Sequence, residues 1–433
     1  MLSPKQLLAQ KPSALLLLLV VFLLPFERLP SFEFHGYSVK LSYLACILCL
    51  ISLLFERPLH WLRQYPITLS ERTLATFSAY SFVLALTIAP DRGRAVVFSL
   101  LWLFVFLMFA VTARTLAEPR RRRWAEHILL AVTAAACLFG IYQYLGDSFG
   151  LPASLTGLRP EYTKLVFGFP RIQSVALEPL YFSNYLLVPL FLAVYRLLRS
   201  KKSASYFWLV ALITLNLTLG ISRGAYLAAI VGGVLVGGYL LVDREACVSR
   251  VRIAGTWLAV LLGVLLAAVG IYGINGKQAS SNFVGHALIS DAPKEASVQD
   301  RFATDRQAWQ FFLHKPVTGY GPSSFGILSM HSAAEQRRLG YGIVNNEYLE
   351  LLVETGVIGA GAFLIFLISS VSRYVRTLRL LSPEDRLHSF CYFGGLVGIF
   401  VQYNFFSTLY ILYIWIFLGF WFSFVYQKQA DRS

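Results

Sequence analysis

Twelve runs of apolar residues, at 13–27, 37–55, 71–89, 95–113, 125–145, 176–195, 206–221, 224–242, 252–273, 346–371, 388–405 and 408–426, punctuate the chain. Most come close to the roughly 20 residues that carry a helix across a hydrocarbon core. No other feature restricts the folding of this sequence as severely. Lipid offers no hydrogen-bond partners to an open backbone, so a spanning segment of this kind must satisfy its own peptide groups as a helix. The charge density agrees: 14% of the 433 residues are charged, against about 25% in a soluble domain, too few to clothe a globular surface. The expected fold class is all-α, a polytopic integral membrane protein of about 12 transmembrane helices.

The formal net charge of +15 would point a soluble protein toward nucleic acid; here most of it is topological. With the N-terminus inside, 22 of the 38 Lys and Arg fall on the inner side and 14 on the outer, seven of these in one long loop. Positive charge is retained in the cytoplasm, so both termini are expected there. The cluster Arg120 to Arg123 reads as a positive-inside anchor against anionic lipid. Lys5, Lys11 and the run Leu15 to Leu24 are followed by Phe26, Glu27 and Arg28. A small-residue cleavage site is missing there, so the first segment is expected to stay as a helix.

This divides the chain into helices 1 to 9 over 1–273, with an outer segment at 147–171, a large outer loop at 274–345, and helices 10 to 12 over 346–433. The loop opens with a polar stretch from Asn275 to Ser281, and residues 297–313 then read as an amphipathic helix with Phe302, Trp309, Phe312 and Leu313 on one face. Pro316, Gly319, Gly321 and Pro322 break it into turns. Cys46, Cys49, Cys137, Cys247 and Cys391 sit in apolar runs or on the inner side, with neither a disulfide framework nor ligand spacing. The loop histidines His286, His314 and His331 lack ligand spacing too. No P-loop, H-E-x-x-H, G-x-S-x-G or paired D-x-D is present, so neither metal nor cofactor is expected.

Three arginines resist the topological account. Arg223, in Ile-Ser-Arg-Gly-Ala-Tyr, joins two apolar runs so tightly that it must lie near the bilayer surface. Arg171 closes the outer segment just ahead of a run that carries Glu178 and Asn184, and an Arg171–Glu178 ion pair competes with substrate contact as its purpose. Arg301 lies on the loop helix among Asp300, Asp305 and Arg306, where a solvated pair with Asp305 is the plain alternative. A guanidinium donates two parallel hydrogen bonds and stays charged when partly desolvated, which suits phosphate. Converging at one surface, these arginines would suit a pyrophosphate.

The order of features resembles the O-antigen ligase and polymerase superfamily of bacterial envelope proteins, across about residues 165–371. The resemblance is carried by Ser222-Arg223-Gly224-Ala225-Tyr226, by Arg301 through Pro316-Val317-Thr318-Gly319-Tyr320-Gly321, and by Asn346-Glu347-Tyr348-Leu349 with Glu354-Thr355-Gly356-Val357-Ile358-Gly359. It implies a GT-C-like transferase of the bacterial inner membrane whose large loop is periplasmic. Such an enzyme takes a glycan from undecaprenyl pyrophosphate and requires no metal. In ligases the acceptor is the lipid A core oligosaccharide; in polymerases it is a second lipid-linked glycan.

By the same resemblance Arg223 and Arg301 bind the pyrophosphate and stabilise the leaving group, Arg171 has a lesser claim, and Asn345, Asn346 and Tyr348 belong to the glycan-binding stretch. The chain departs from the superfamily in one respect. Val344-Asn345-Asn346-Glu347-Tyr348-Leu349 stands where the ligases carry a histidine before the asparagine, the proposed general base. Asn345 cannot take a proton at neutral pH, which leaves Glu347 and His331 as candidates, with Glu178 behind them. A transporter of lipid-linked glycans is the rival from another class, but such carriers place charge at mid-bilayer in both halves and often show a repeat. Here the unexplained arginines lie on one side, beside a large loop.

Overall fold

The computed structural model describes residues 11–28, 31–34, 37–56, 66–243, 248–287, 296–330 and 342–430. Its longer elements run α1 Pro12–Leu23, β1 Ser31–Phe34, β2 Tyr37–Lys40, α2 Leu41–Phe55, α3 Leu69–Thr87, α4 Arg92–Thr115, α5 Pro119–Ser148, α6 Pro179–Arg199 and α7 Ser203–Leu219. They continue with α8 Arg223–Val242, α9 Arg250–Gly270, α10 Gly276–Ala287, α11 Ala296–His314, α12 Glu347–Leu378, α13 Pro383–Gln402 and α14 Leu412–Ala430. Each of the twelve apolar stretches is therefore helical over most of its length. Among the described residues six helices are long and apolar enough to cross a membrane: α4, α5, α6, α8, α9 with its continuation, and α12. Helices α1, α2 and α7 are apolar but shorter.

Two details depart from the sequence reading. Residues 37–40, expected to open the second span, instead pair antiparallel with 31–34, Phe34 opposite Tyr37 and Ser31 opposite Lys40. The helix expected to end at 273 continues through a π-helical turn, Ile271–Asn275, into α10. Asn275 anchors that turn to α5, accepting from the Tyr144 hydroxyl and donating to Ser148 Oγ.

The helix starts follow local chemistry. Thr68 and Glu71 form a reciprocal capping box on α3, and Asp91, Ser222, Ser249, Asn346 and Ser382 each accept a backbone N–H at the start of α4, α8, α9, α12 and α13. These side chains satisfy donors that the first helical turn leaves open. Packing then depends on small residues. A Cβ on Gly232 of α8 would stand 2.6 Å from the Gly394 carbonyl oxygen of α13, and one on Gly263 of α9 would stand 2.5 Å from that of Ala211 in α7. In lipid, where apolar side chains gain little by leaving the solvent, such backbone approach is what holds helices together. Helix α6 is the axis of the bundle, 89% buried along its most apolar stretch, whereas α8 and α9 are 22% buried and turn Ile230, Val234, Trp257 and Leu261 outward.

At the end of the bundle away from residues 149–178, three helices meet on one buried carboxylate. Glu126 of α5 is fully buried and accepts from Arg196 of α6 at 2.5 Å and Tyr392 of α13 at 3.2 Å, with His388 Nε2 of α13 2.9 Å from its carboxylate. His388 stacks on Tyr195 at 3.9 Å, and Arg122 beside it reaches Gln427 and the Phe424 ring of α14.

The first half of α12 and the loop before it are locked by backbone conformation. Gly356 interrupts α12 at φ 60° and ψ −169°. A Cβ there would lie 2.2 Å from the Val317 carbonyl oxygen, and one on Gly319, at φ +67°, 2.6 Å from the Glu354 backbone. The Pro316–Gly321 loop docks into this break: Tyr320 N and Gly321 N donate to Val353 O and Glu354 O, and Val357 N to Pro316 O. An alanine at Gly356 has neither the space nor the left-handed conformation that glycine tolerates. We expect Gly356→Ala to destabilise by about 2–4 kcal/mol, read as a lower thermal midpoint in detergent.

Candidate functional site

The segment between α5 and α6 is held by side chains of α5. Gln143 brackets Ser174, accepting its N–H at 2.8 Å and donating to its carbonyl at 3.1 Å, while Ser174 Oγ donates to Ala136 O at 2.7 Å. Ser174 adopts φ 51° under these constraints. Asp147 accepts from Lys164 N at 2.7 Å. The segment so held carries both Arg171 and Glu178, the residue preceding α6.

Arg171 reaches from this segment to the turn between α7 and α8. Its Nη2 donates to Ile221 O at 2.9 Å, and its guanidinium stands 5.8 Å from the Tyr162 ring centroid. Ile221 is a β-branched residue at φ 48°, an outlier for its type that persists only where surroundings over-determine it. The surroundings do so. A Cβ on Gly220 would meet Ser183 Oγ at 2.5 Å, one on Gly224 would meet the Phe405 ring at 2.7 Å, and the Tyr226 hydroxyl donates to Thr218 O at 2.6 Å. Arg223 follows as the first residue of α8, where the open N–H groups of a helix start favour an anion.

Arg301, on α11, completes the group. It lies within electrostatic range of Glu178, Arg223 and Asp305, and Arg171 within range of Arg301 and Glu178. Three arginines from three segments and one glutamate thus share a single locus, which the sequence spacing could not show. The environment penalises the charge of Arg301 and Arg171. Crowding by protein lowers the Arg301 pKa although the side chain is open to solvent, with Glu178 opposing the shift and Arg223 adding to it. Burial likewise lowers that of Arg171 and pushes the Tyr162 hydroxyl up to about 12. Guanidinium remains charged at neutral pH, so an anion entering here relieves a cost already present. Removing the Arg171 bond exposes the strained turn. Arg171→Ala is expected to weaken anion binding about tenfold, the worth of one charge-assisted hydrogen bond, and Arg171→Lys less, in a pyrophosphate titration.

The residues at the start of α12 form a second, adjoining set of contacts. Asn345 takes φ 61°, a conformation asparagine tolerates, and its N–H donates to Ser407 Oγ at 3.2 Å. Asn346 caps α12, and the Tyr348 hydroxyl donates to Phe400 O at 2.6 Å. Glu347 is 3% exposed, its N–H bonded to Tyr403 O, its carboxylate near the Thr408 and Leu409 backbone, and its Oε2 buried without a hydrogen-bond partner among the described residues. Asn346 is thus spent on capping α12, the Tyr348 hydroxyl on tying α12 to α13, and the Glu347 N–H on joining α12 to the α13–α14 connection. His331 lies outside the described residues.

Sequence reasoning overlooked one part of this region. Glu350 accepts from Ser407 Oγ at 2.5 Å and Val344 N at 3.0 Å, Glu354 accepts the N–H groups of Ser323 and Phe325, and Arg94 of α4 donates to Ser323 Oγ at 2.7 Å. The acidic spacing Glu347, Glu350, Glu354 at the mouth of an apolar run was the available signal. On α11 the buried side is also different from the expected one: Ala308 and Phe311 pack with Phe312 against Phe325, Leu349 and Val353, while Phe302, Trp309 and Leu313 are exposed. The periodic pattern marked an apolar stripe but could not say that a second stripe faced the protein. Among the described residues no three His, Cys, Asp or Glu side chains lie close enough to share a metal ion.

An almost wholly helical bundle with apolar outer faces and an arginine cluster at one end defines a membrane protein. Residues 208–364 match the family model described as O-antigen ligase, a match that supports the O-antigen ligase and polymerase superfamily, whose members are glycosyltransferase-like enzymes. The matched stretch contains Arg223, Arg301 and the α12 start. No curated protein matches the chain.

Proposed function

We propose that this protein transfers a glycan from undecaprenyl pyrophosphate to an acceptor sugar at the outer face of the bacterial inner membrane, as an O-antigen ligase with the lipid A core as acceptor. The observation that carries the reading is the meeting of Arg171, Arg223 and Arg301 at one locus, on the side that the charge bias assigns to the periplasm. In the transfer the acceptor oxygen bonds to the anomeric carbon as the bond from that carbon to the pyrophosphate oxygen breaks. The departing pyrophosphate gathers negative charge, and preorganised donors at that position lower the barrier. Arg223 and Arg301 supply them; Arg171 holds the turn that aims Arg223.

The proton released by the acceptor hydroxyl needs a base within about 3 Å. Glu347 is shut off from solvent at 3% exposure, whereas Glu178 is half-buried and within electrostatic range of Arg171 and Arg301. We assign the proton to Glu178. Glu178→Gln, which keeps the shape and removes the basicity, is expected to cut turnover by about 10²–10⁴-fold with donor binding retained; a normal rate in that variant would return the role to another group.

The assay that tests the whole reading uses purified protein in liposomes with an undecaprenyl-pyrophosphate glycan, offered lipid A core in one vessel and no second acceptor in another. Transfer to the core supports the ligase. Lengthening of the lipid-linked glycan without core would make the protein a polymerase, and passage of the lipid-linked glycan across the bilayer without turnover would overturn the transferase reading.

A further inference from the structure

Beyond the arginine locus, α12 and α13 both pack on α14 yet scarcely touch each other. Gly356 breaks α12, and a groove of about 330 Å³ lies between α12 and α13. Its walls are Phe366 of α12 and Phe393 and Phe400 of α13, its floor Leu418 and Trp421 of α14. The Tyr348 hydroxyl, bonded to Phe400 O, ties the two walls together at the outer end. Along α13 the groove runs from Phe393 to Asn404, about 16 Å of helix rise. Those proportions match one extended hydrocarbon chain rather than the paired chains of a phospholipid.

The groove's outer end leads toward the arginines. Asn404 lines it, and the next residue, Phe405, lies against Gly224, the neighbour of Arg223. We propose that this groove seats the single isoprenoid chain of a polyprenyl diphosphate, with the diphosphate at Arg223 and Arg301. The inference rests on the transferase reading for the headgroup and adds to it the path of the lipid. Charge complementarity at one end and a chain-wide apolar channel at the other select a lipid with one tail and a phosphate head.

The test uses wild-type protein in liposomes and two photoactivatable probes, a polyprenyl diphosphate without glycan and a phosphatidylethanolamine. The polyprenyl probe is expected to label the 393–404 segment, with labelling displaced by unlabelled polyprenyl diphosphate and not by phospholipid. Val397→Trp and Val401→Trp place bulk in the groove from its lipid-facing wall. Each is expected to lower that labelling and raise the donor KM about tenfold with kcat little changed, the loss of burying about two methylene groups. Equal labelling by the phospholipid probe would make the groove a bulk-lipid contact and overturn the proposal, as would unchanged labelling and KM in both variants. Because the probe carries no glycan, labelling is read without turnover. A labelled groove in a protein that transfers nothing sinks the transferase reading alone; a transferase indifferent to both tryptophans sinks the groove alone.

Discussion

Arg223→Ala and Arg301→Ala are each expected to reduce glycan transfer by roughly 10²–10³-fold, about 2.7–4 kcal/mol, the loss that follows removal of one preorganised donor from a developing oxyanion. Their positions give the reason. Arg223 starts α8 directly after a turn strained at Ile221, and Arg301 on α11 lies within electrostatic range of both Arg223 and Glu178. The fall belongs in kcat more than in KM, because charge on the pyrophosphate grows as the anomeric bond breaks. Lysine at either position keeps the charge but loses the planar fork, so Arg223→Lys and Arg301→Lys should lie between wild type and alanine. The double alanine variant is expected to lose less than the product of the two single losses, since both groups act on one anion. Initial rates in liposomes decide the matter; full activity in either alanine variant would remove the arginine locus from the chemistry.

Glu126→Ala is expected to carry the largest stability effect, about 3–5 kcal/mol, because removing one partner of a buried ion network leaves the others uncompensated. Arg196 and His388 would keep their burial and lose the carboxylate they share, and the Tyr392 hydroxyl would lose its acceptor. Glu126 joins α5, α6 and α13 at the end of the bundle opposite the arginines. The expected phenotype is therefore a low yield of folded protein and a depressed thermal midpoint, with an ordinary donor KM in whatever folds. Glu126→Gln keeps the size and one acceptor oxygen and should lose less. A thermal midpoint unchanged in Glu126→Ala would show that the network is solvated and contributes little.

The two ends of the molecule were unequally legible. Ser222-Arg223-Gly224 could be picked out because an arginine wedged between apolar runs violates the economy of the membrane, and Arg301 because it precedes a turn-rich stretch. Glu126, His388 and Arg196 could not. They lie within or beside the inward basic segments, where charge is ordinary, and nothing local announces that residues 70 and 262 positions apart share a carboxylate. Asn346 and Tyr348 were legible as a motif, but Tyr348 was not legible in its use, because its hydroxyl-to-carbonyl bond to Phe400 depends on where α13 lies.

By itself the sequence determined the solvent, the helical content and the position of nearly every helix, since a chain in lipid must close its backbone bonds within each segment and the apolar runs mark where it does so. It also determined which arginines needed a purpose. Only the tertiary structure decided that Arg171, Arg223 and Arg301 come together, that Glu178 rather than Glu347 stands among them, and that α12 breaks at Gly356 with a groove between it and α13. The reason is that these outcomes depend on close backbone approach between segments far apart in the chain, at Gly224 on Phe405 and Gly356 on Val317, and a period along one helix carries no information about its neighbour.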